Sequence, residues 1–527
     1  MRALLLNPKF PKSFWSFDKA LELIGRQVSL PPLSLITVAA ILPQTWEFRL
    51  VDRNVRPETE ADWYWAELVI LSGMIVQKAD LFDLIAEAKR RGKPVAVGGP
   101  FATSVPEPIK AAGADFLVLD EGEITLPLWV EALGRGETEG VFRADGEKPD
   151  VTTSPIPRFD LLDLSAYSEM SVQFSRGCPY QCEFCDIIVL YGRKPRTKTP
   201  EQLLAELQVL YDLGWRRSVF MVDDNFIGNK RNVKRMLQAL VPWMQERGYP
   251  FSFSTEASVD LAQDAELMQM MIAANFTAVF LGIETPDTDS LSHTQKHQNT
   301  RSPLVETVQS INKAGLRVMA GFIVGFDGEK PRAGDRIIEF VEATAIPQAL
   351  FSMLQALPNT ALWHRLEREG RLQGREQEAN GHQATLMNFV PTRPLEDIAQ
   401  EYVRCFWELY DPHRYLGRVF RHFVDMQPRK FKRAFVQPEL ADLRALMIIT
   451  WRQGIRRSTR GLFWRQLGAM ARRNPRMLKA YIVNCAHLEH FIDYREIVRS
   501  EIEAQLAAYL AQAATERPDA LPMARAS

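Results

Sequence analysis

Two series of short apolar runs, each run followed by a stretch of helical spacing, govern what this chain can fold into. In the first series the runs fall at 3–6, 47–52, 68–72, 94–98 and 116–119, with helical spacing between them at 33–42 and 81–91. Continuous apolar strands belong to a parallel sheet covered on both faces, so the pattern predicts an α/β fold that begins with a doubly wound, Rossmann-like domain over 1–149. Such a sheet takes ligands beyond the carboxyl ends of its strands. Standing there are Asn7 with Pro8; Ser72, Gly73 and Met74; Gly98, Gly99 and Pro100; and Glu121, Gly122 and Glu123.

Residues 150–167 hold two prolines and little periodicity, and are expected to form a linker. The second series follows, with strands expected at 171–175, 218–222, 251–256, 278–283, 317–324 and 349–357 and helices at 200–213, 231–247, 265–274, 304–314 and 335–345. Six βα units predict a full or partial (β/α) barrel over 168–372, whose reactive face is again at the carboxyl ends of the strands. Beyond it the strand signals stop. Helical spacing at 395–409, 440–456 and 494–511 predicts a mostly helical third domain over 373–527, with a small, polar tail expected to fray from Ala514. Three units suit a length of 527 residues.

Hydrophobic residues at 46% and charged residues at 24% exclude a disordered chain, and no apolar run approaches the roughly 18 residues of a membrane span. The start, MRALLLNPKF, lacks a secretory signal's long apolar region and fits a first strand. Five cysteines, three of them within eight residues, make no disulfide framework, so a cytoplasmic location is expected.

Those three cysteines carry the chemistry. Arg176-Gly177-Cys178-Pro179-Tyr180-Gln181-Cys182-Glu183-Phe184-Cys185-Asp186 is a CxxxCxxC loop that follows the first strand of the second series. Cys178, Cys182 and Cys185 can surround three corners of a 4Fe-4S cubane and leave one iron open to a small molecule. A zinc site would want four closed ligands, and no histidine precedes His293. In the first domain no GxGxxG follows the first strand, which disfavours a nicotinamide or flavin nucleotide.

The loop resembles the signature of the radical S-adenosylmethionine (SAM) superfamily, in which Phe184 would pack near the adenine. The strand ends Val222-Asp223-Asp224-Asn225-Phe226, Ser254-Thr255-Glu256, Gly282-Ile283-Glu284 and Gly321-Phe322-Ile323-Val324-Gly325 resemble its SAM-contacting positions. The resemblance thus implies SAM contacts from Phe184, Asp224, Thr255, Glu256, Glu284, Phe322 and Val324, with Glu256 and Glu284 as the preferred polar ones. The first domain is similar to the cobalamin-binding domain of the cobalamin-dependent subclass, which implies cobalamin contacts from Asn7, Ser72, Gly73, Met74, Gly98, Gly99, Pro100, Glu121 and Gly122. The DxHxxG motif that supplies a histidine to cobalt in the mutases and methionine synthase is absent, so no histidine of this domain would reach the cobalt.

The strings Gln173 to Tyr180, Leu190 to Thr199 and Asp223 to Asn229 resemble the family of the hopanoid C-2 methylase and its unassigned relatives, along nearly the whole chain. That resemblance implies methyl transfer to an unactivated carbon of a small organic substrate, a polycyclic lipid among the candidates, with electrons from a flavodoxin- or ferredoxin-type donor. A cobalamin-dependent radical SAM enzyme doing non-methylating chemistry is the alternative.

The net charge of -1 conceals 17 Lys or Arg between Arg414 and Lys479, with Trp451, Phe463 and Trp464 among them. A solvated helical face accounts for this segment; peripheral association with the inner surface of an anionic membrane is the other expectation. No nucleic-acid module accompanies the charge, so nucleic acid is not an expected partner. Cys405 and Cys485 lie in helical patterns and are expected to be buried small hydrophobes.

Overall fold

The computed structural model describes residues 1–373, 384–428 and 440–516; of the tail expected to fray, the part beyond Glu516 lies outside them. The first sheet consists of β1 (Arg2–Asn7), β2 (Glu47–Asp52), β3 (Leu68–Ser72), β4 (Val95–Gly98), β5 (Phe116–Val118) and β6 (Gly140–Phe142), all parallel, in the order β2-β1-β3-β4-β5-β6. Alternate residues go to opposite faces: Leu4 and Leu6 pack under the helix Lys78–Arg90, whereas Ala3 and Leu5 join Leu35, Ala39 and Trp129 from Leu33–Ile41 and Gly122–Gly134. Both faces are dry, which is why these strands are continuously apolar in sequence. The strand order reverses between β1 and β3, so Asn7 and Ser72 flank the crevice where doubly wound sheets take ligands.

The second sheet is an open arc of parallel strands: β7 (Glu169–Val172), β10 (Ser218–Met221), β11 (Ser252–Ala257), β12 (Phe276–Glu284), β13 (Arg317–Val324) and β14 (Gln348–Met353). Each strand adds beside the previous one, and among the described residues β7 and β14 do not pair, so the barrel is partial. Helices Pro200–Asp212, Lys230–Glu246, Ala265–Ala273, Leu304–Ala314 and Ala333–Thr344 cover its outside. The first of them starts where the sequence demands: Thr199 accepts from Gln202 N at 3.2 Å, Gln202 returns the bond to Thr199 N at 2.9 Å, and Pro200 follows the cap.

Between β7 and β10 the chain makes a two-stranded antiparallel hairpin, β8 (Ser175–Arg176) with β9 (Arg196–Thr197), which frames the cysteine loop. Gly177 leads into that loop with φ +92°, and a Cβ there would lie 2.8 Å from Gly192 O. Only glycine fits.

The helices Leu395–Leu409, Pro412–Val424 and Leu478–Glu516 continue the barrel's hydrophobic core rather than forming a separate one, with Tyr402, Phe406, Tyr410, Phe491 and Tyr494 buried together. Tyr410 caps the free edge of β14, accepting from Ala349 N (2.9 Å) and donating to Ala349 O (2.7 Å). Cys405 and Cys485 are fully buried here, as expected. Among the described residues no helix is long and apolar enough to cross a membrane.

Candidate active site

The cysteine loop sits at the carboxyl end of the arc, and the turn after β10 holds it there. Asp223 takes the backbone N–H groups of Phe174 (3.2 Å) and Ser175, and the Ser175 hydroxyl. Asp224 takes Gly177 N at 2.8 Å. Asn225 Nδ2 points at Cys178 Sγ (3.8 Å) while its amide also meets Ser258 (3.2 Å). On the other side Gln298 Nε2 donates to Cys182 Sγ at 3.6 Å. Glu183, between two of the cysteines, is gripped by Arg365 (2.9 and 3.2 Å) from the helix Ala361–Arg368.

Burial pushes the Cys178 and Cys185 thiols up in the chain alone, so metal ligation is what would make them thiolates. Among the described residues no group of three or more His, Cys, Asp or Glu could hold a single ion. Cys178, Cys182 and Cys185 nonetheless share one short loop at the carboxyl end of the arc, and three cysteines are the protein ligands of a 4Fe-4S cluster with one iron left open. Amide donors on two of the sulfurs and the buried Lys296 ammonium nearby complete a surrounding that suits a negatively charged cluster.

Lys296 pairs with Glu284, and its Nζ lies 5.7 Å from the centroid of the Phe184 ring. Burial works against the charge on Lys296, but Glu284 and the Cys182 and Cys185 sulfurs hold its proton on. Glu284 adopts φ +64°, a left-handed conformation uncommon outside glycine. A Cβ on Gly282 would lie 2.5 Å from Glu284 Oε1 and 2.8 Å from Lys296 Nζ, so that glycine makes room for the pair.

Strand alternation limits how part of the expected SAM set could act. Thr255, Phe322 and Val324 lie on the helix side of the arc: Thr255 donates to Met221 O at 3.0 Å, and Phe322 packs on Phe340 and Phe351. Their side chains cannot reach the lumen, which leaves them only backbone contacts. The opposite residues line it. Ser254, Glu256, Phe280, Met319, Gly321, Ile323 and Leu350 share that face and are paired in register across β11 to β14. The Glu256 carboxyl, in a partly buried residue, is pushed up to about 7 by burial first and then by Asp224, Asp223 and Glu284. Asp223 and Asp224 are raised likewise, to about 7 and about 6, mainly by burial. An enclosure this acidic favours a cationic ligand.

These shifts make a pH prediction. A carboxyl whose folded pKa lies above its unfolded one binds more protons when folded, so it lowers stability as pH rises from about 4.5 to about 7. Glu256 is expected to subtract stability across that window while the buried His422 and His487, whose pKa values burial lowers to about 3, add it, so the test is the difference between chains: Glu256→Gln should become more stable relative to the wild type, by on the order of 1–3 kcal/mol, as pH rises through the window. Denaturant midpoints at the two ends of the window check this; an unchanged slope in the variant would count against Glu256 as the source.

The carboxyl ends of β1, β3, β4 and β5 bring the expected cobalamin residues to one edge. Asn7 Nδ2 donates to Asp52 (2.9 Å), Met74 N donates to Gln77 Oε1 (2.9 Å), and Met74 itself is 51% exposed. Gly98 is required by packing, since a Cβ would lie 2.7 Å from Val118 O, and Gly99, at φ +90°, lies against Ser72 Oγ and starts the short helix at Pro100. These glycines let the strand ends pack closely against Val118 and Ser72 along this edge.

Glu121 has its side chain engaged within the protein. Its carboxylate is taken by Arg196 (2.7 and 3.0 Å) and Arg176 (2.9 Å), so the two residues at this corner, Glu121 and Gly122, have only backbone to offer a cofactor. Arg176 also bridges to Glu123 (2.8 and 2.9 Å). The first sheet's edge is thereby bolted to the residue two before Cys178. Arg176 and Arg196 stand within strings that the sequence marks, but their ion-pair role does not show there, because Glu121 and Glu123 lie more than fifty residues away; Lys296 and Gln298 carried no local sequence signal.

A radical SAM superfamily model matches residues 172–341, and a domain of unknown function (DUF4070) matches 360–504. A hopanoid C-2 methylase of Rhodopseudomonas palustris is 35% identical over 475 residues, 88% of each chain. The chain belongs to the cobalamin-binding-domain radical SAM family. An uncharacterized methyltransferase of Synechocystis sp. is 67% identical over 512 residues, 97% of this chain and 95% of that one. The fold of this family member matches the cobalamin-dependent SAM radical enzyme OxsB with aqua-cobalamin and SAM bound, at TM-score 0.59 and 16% identity over 97% of this chain and 81% of that one. It also matches the radical SAM methyltransferase TsrM of Kitasatospora setae with cobalamin and a 4Fe-4S cluster bound, at TM-score 0.60 and 17% identity over 89% and 99%. In this radical SAM enzyme, then, the loop, the acidic lumen and the glycine-lined edge fall in one architecture.

Proposed function

We propose that the chain is a cobalamin-dependent radical SAM C-methyltransferase acting on an unactivated carbon of a small, hydrophobic, polycyclic-lipid-like substrate. The observation that carries it is the junction at Arg176, where the carboxyl-end edge of the first sheet meets the cysteine loop of the second through buried ion pairs. The bound groups supply one-electron cleavage of SAM and a transferable methyl. Cys178, Cys182 and Cys185 hold the cluster, with Asn225 and Gln298 donating to their sulfurs and Lys296 offsetting charge. Phe184 meets the adenine; Asp224, Glu256 and Glu284 favour the cationic sulfonium and ammonium of SAM. Asn7, Ser72, Gly73, Met74, Gly98, Gly99 and Pro100, with the Glu121 and Gly122 backbone, face the cobalamin. Phe280, Met319, Ile323 and Leu350, with Trp15 at 5.7 Å from Phe280, offer an apolar wall to the substrate. A flavodoxin- or ferredoxin-type protein supplies the electron.

A non-methylating reaction is the rival, since an anaerobic magnesium-protoporphyrin IX monomethyl ester cyclase of Synechocystis sp. is 24% identical over 63% of the chain. Anaerobic purification with hydroxocobalamin, then mass spectrometry of products from methyl-labelled SAM under reduction, separates the two. Both 5′-deoxyadenosine and S-adenosylhomocysteine are expected. 5′-Deoxyadenosine alone would move the assignment to the rival, and a cluster without cobalamin would overturn the role of the first domain.

A further inference from the structure

The helical region carries an apolar stripe that none of the described residues covers. On the helix Leu440–Trp451 and the π-turn Arg452–Arg456 that extends it, Leu443, Leu446, Met447 (66% exposed), Trp451 (57%) and Ile455 are exposed. Steps of four place 443, 447, 451 and 455 on one face. The other face does the packing, with Ala445 and Ile449 buried against Leu23 and Ala486. Trp464, also exposed, comes from the helix Arg460–Arg473 and donates Nε1–H to Gly454 O at 2.8 Å, which sets its ring beside the stripe. Single exposed apolar residues are ordinary; a stripe with two tryptophans is not.

A cleft of about 480 Å³ adjoins it, lined by Lys19, Arg452, Arg456, Arg457, Thr459 and Glu489 among others. Lys19 pairs with Asp493 and Arg457 with Glu489, whereas Arg452 and Arg456 make no ion pair among the described residues. Thr459 is fully buried, its Oγ1 has no partner, and it caps the 14-residue helix Arg460–Arg473 without a side-chain bond. Two free guanidiniums, a helix N-terminus and an unpartnered hydroxyl make an anion site. Residues 443–479 hold ten Lys or Arg and no Asp or Glu.

We propose that this face docks the protein on an anionic phospholipid membrane. The stripe enters the boundary between headgroups and acyl chains, the two tryptophans sit at headgroup level, and the cleft takes a lipid phosphate. A second copy is a poorer occupant, because two such faces would bring like charges together. The proposal concerns the helical region and stands apart from the reaction assigned to the cluster loop.

The test is co-sedimentation of the full chain with phosphatidylcholine vesicles, with and without phosphatidylglycerol. Binding is expected only to the anionic vesicles and is expected to fall with salt. Arg452→Gln with Arg456→Gln weakens it by roughly 20-fold. Met447→Ser, Trp451→Ser and Ile455→Ser together abolish it, while Leu510→Ser, at an exposed site elsewhere, leaves it intact. Because all these positions are exposed or partly exposed, circular dichroism should show each variant folded. No binding by the folded wild type overturns the proposal. So does binding that inorganic phosphate competes away and the triple variant retains, which assigns the cleft to a small anion. Dimerisation that the triple variant abolishes, without vesicle binding, gives the stripe to a second copy and overturns it as well.

Discussion

Arg176→Met is expected to lower the unfolding free energy by about 3–5 kcal/mol, the usual cost of removing one partner from a buried ion pair. The Arg176 side chain is 12% exposed, and those of Glu121 and Glu123 are 3% and 6%. Burial alone would raise the Glu123 pKa, but Arg176 holds it down at about 2. Glu123 thus contributes stability that is present above about 4.5 and lost as pH falls toward 2. Without the arginine, Glu121 keeps Arg196 while Glu123 keeps the Ser154 hydroxyl and a backbone N–H but loses its cationic partner, so an uncompensated carboxylate is left inside. Urea unfolding at neutral pH measures the loss. The double variant Arg176→Met with Glu123→Gln should recover much of it, since the stranded charge is then gone. Limited proteolysis supplies a readout specific to the junction: with the bolt removed, cleavage within 150–167 should accelerate. An unchanged midpoint together with an unchanged cleavage pattern would mean that the ion pairs do not join the two sheets.

Long periodic segments were legible in the sequence because local pattern and tertiary packing agree there. The strand at 317–324 and the helices at 304–314 and 395–409 fall on the expected residues. The misses have identifiable causes. A strand expected at 171–175 ends at Val172, because Asp223 takes the N–H groups of Phe174 and Ser175 that a longer ladder would have used. β6, three residues with an exposed Val141, and the two-residue strands β8 and β9 are too short to carry a period. At the site, spacing alone marks Cys178, Cys182 and Cys185, but strand ends give positions without faces. A one-residue shift in a period of two separates Phe322, on the helices, from Ile323, in the lumen. Lys296 and Gln298 lie in the polar text THR-GLN-LYS-HIS-GLN, written TQKHQ in the chain, and only the fold reveals that both are buried beside the cysteines.

Cys182→Ala should abolish the reaction by removing the cluster, and a graded series shows why the loop rather than any cysteine is responsible. Cys182 is buried, accepts from Gln298, and lies between two other thiols that burial holds protonated until a metal displaces the proton. With two protein ligands left, iron in the anaerobically reconstituted chain should fall from about four per chain to background, and SAM cleavage with it. Gln298→Leu keeps all three sulfurs and loses one donor, so iron affinity should drop roughly 10–100-fold and the reduction potential should shift. Cys405→Ala serves as the control. That thiol is fully buried against Gly334 O (3.6 Å) in the helical core, and its removal should cost on the order of 1 kcal/mol of stability while leaving iron content unchanged. Iron retained at wild-type level by Cys182→Ala would mean that the loop does not hold the cluster, and the acidic lumen facing it would then need another explanation.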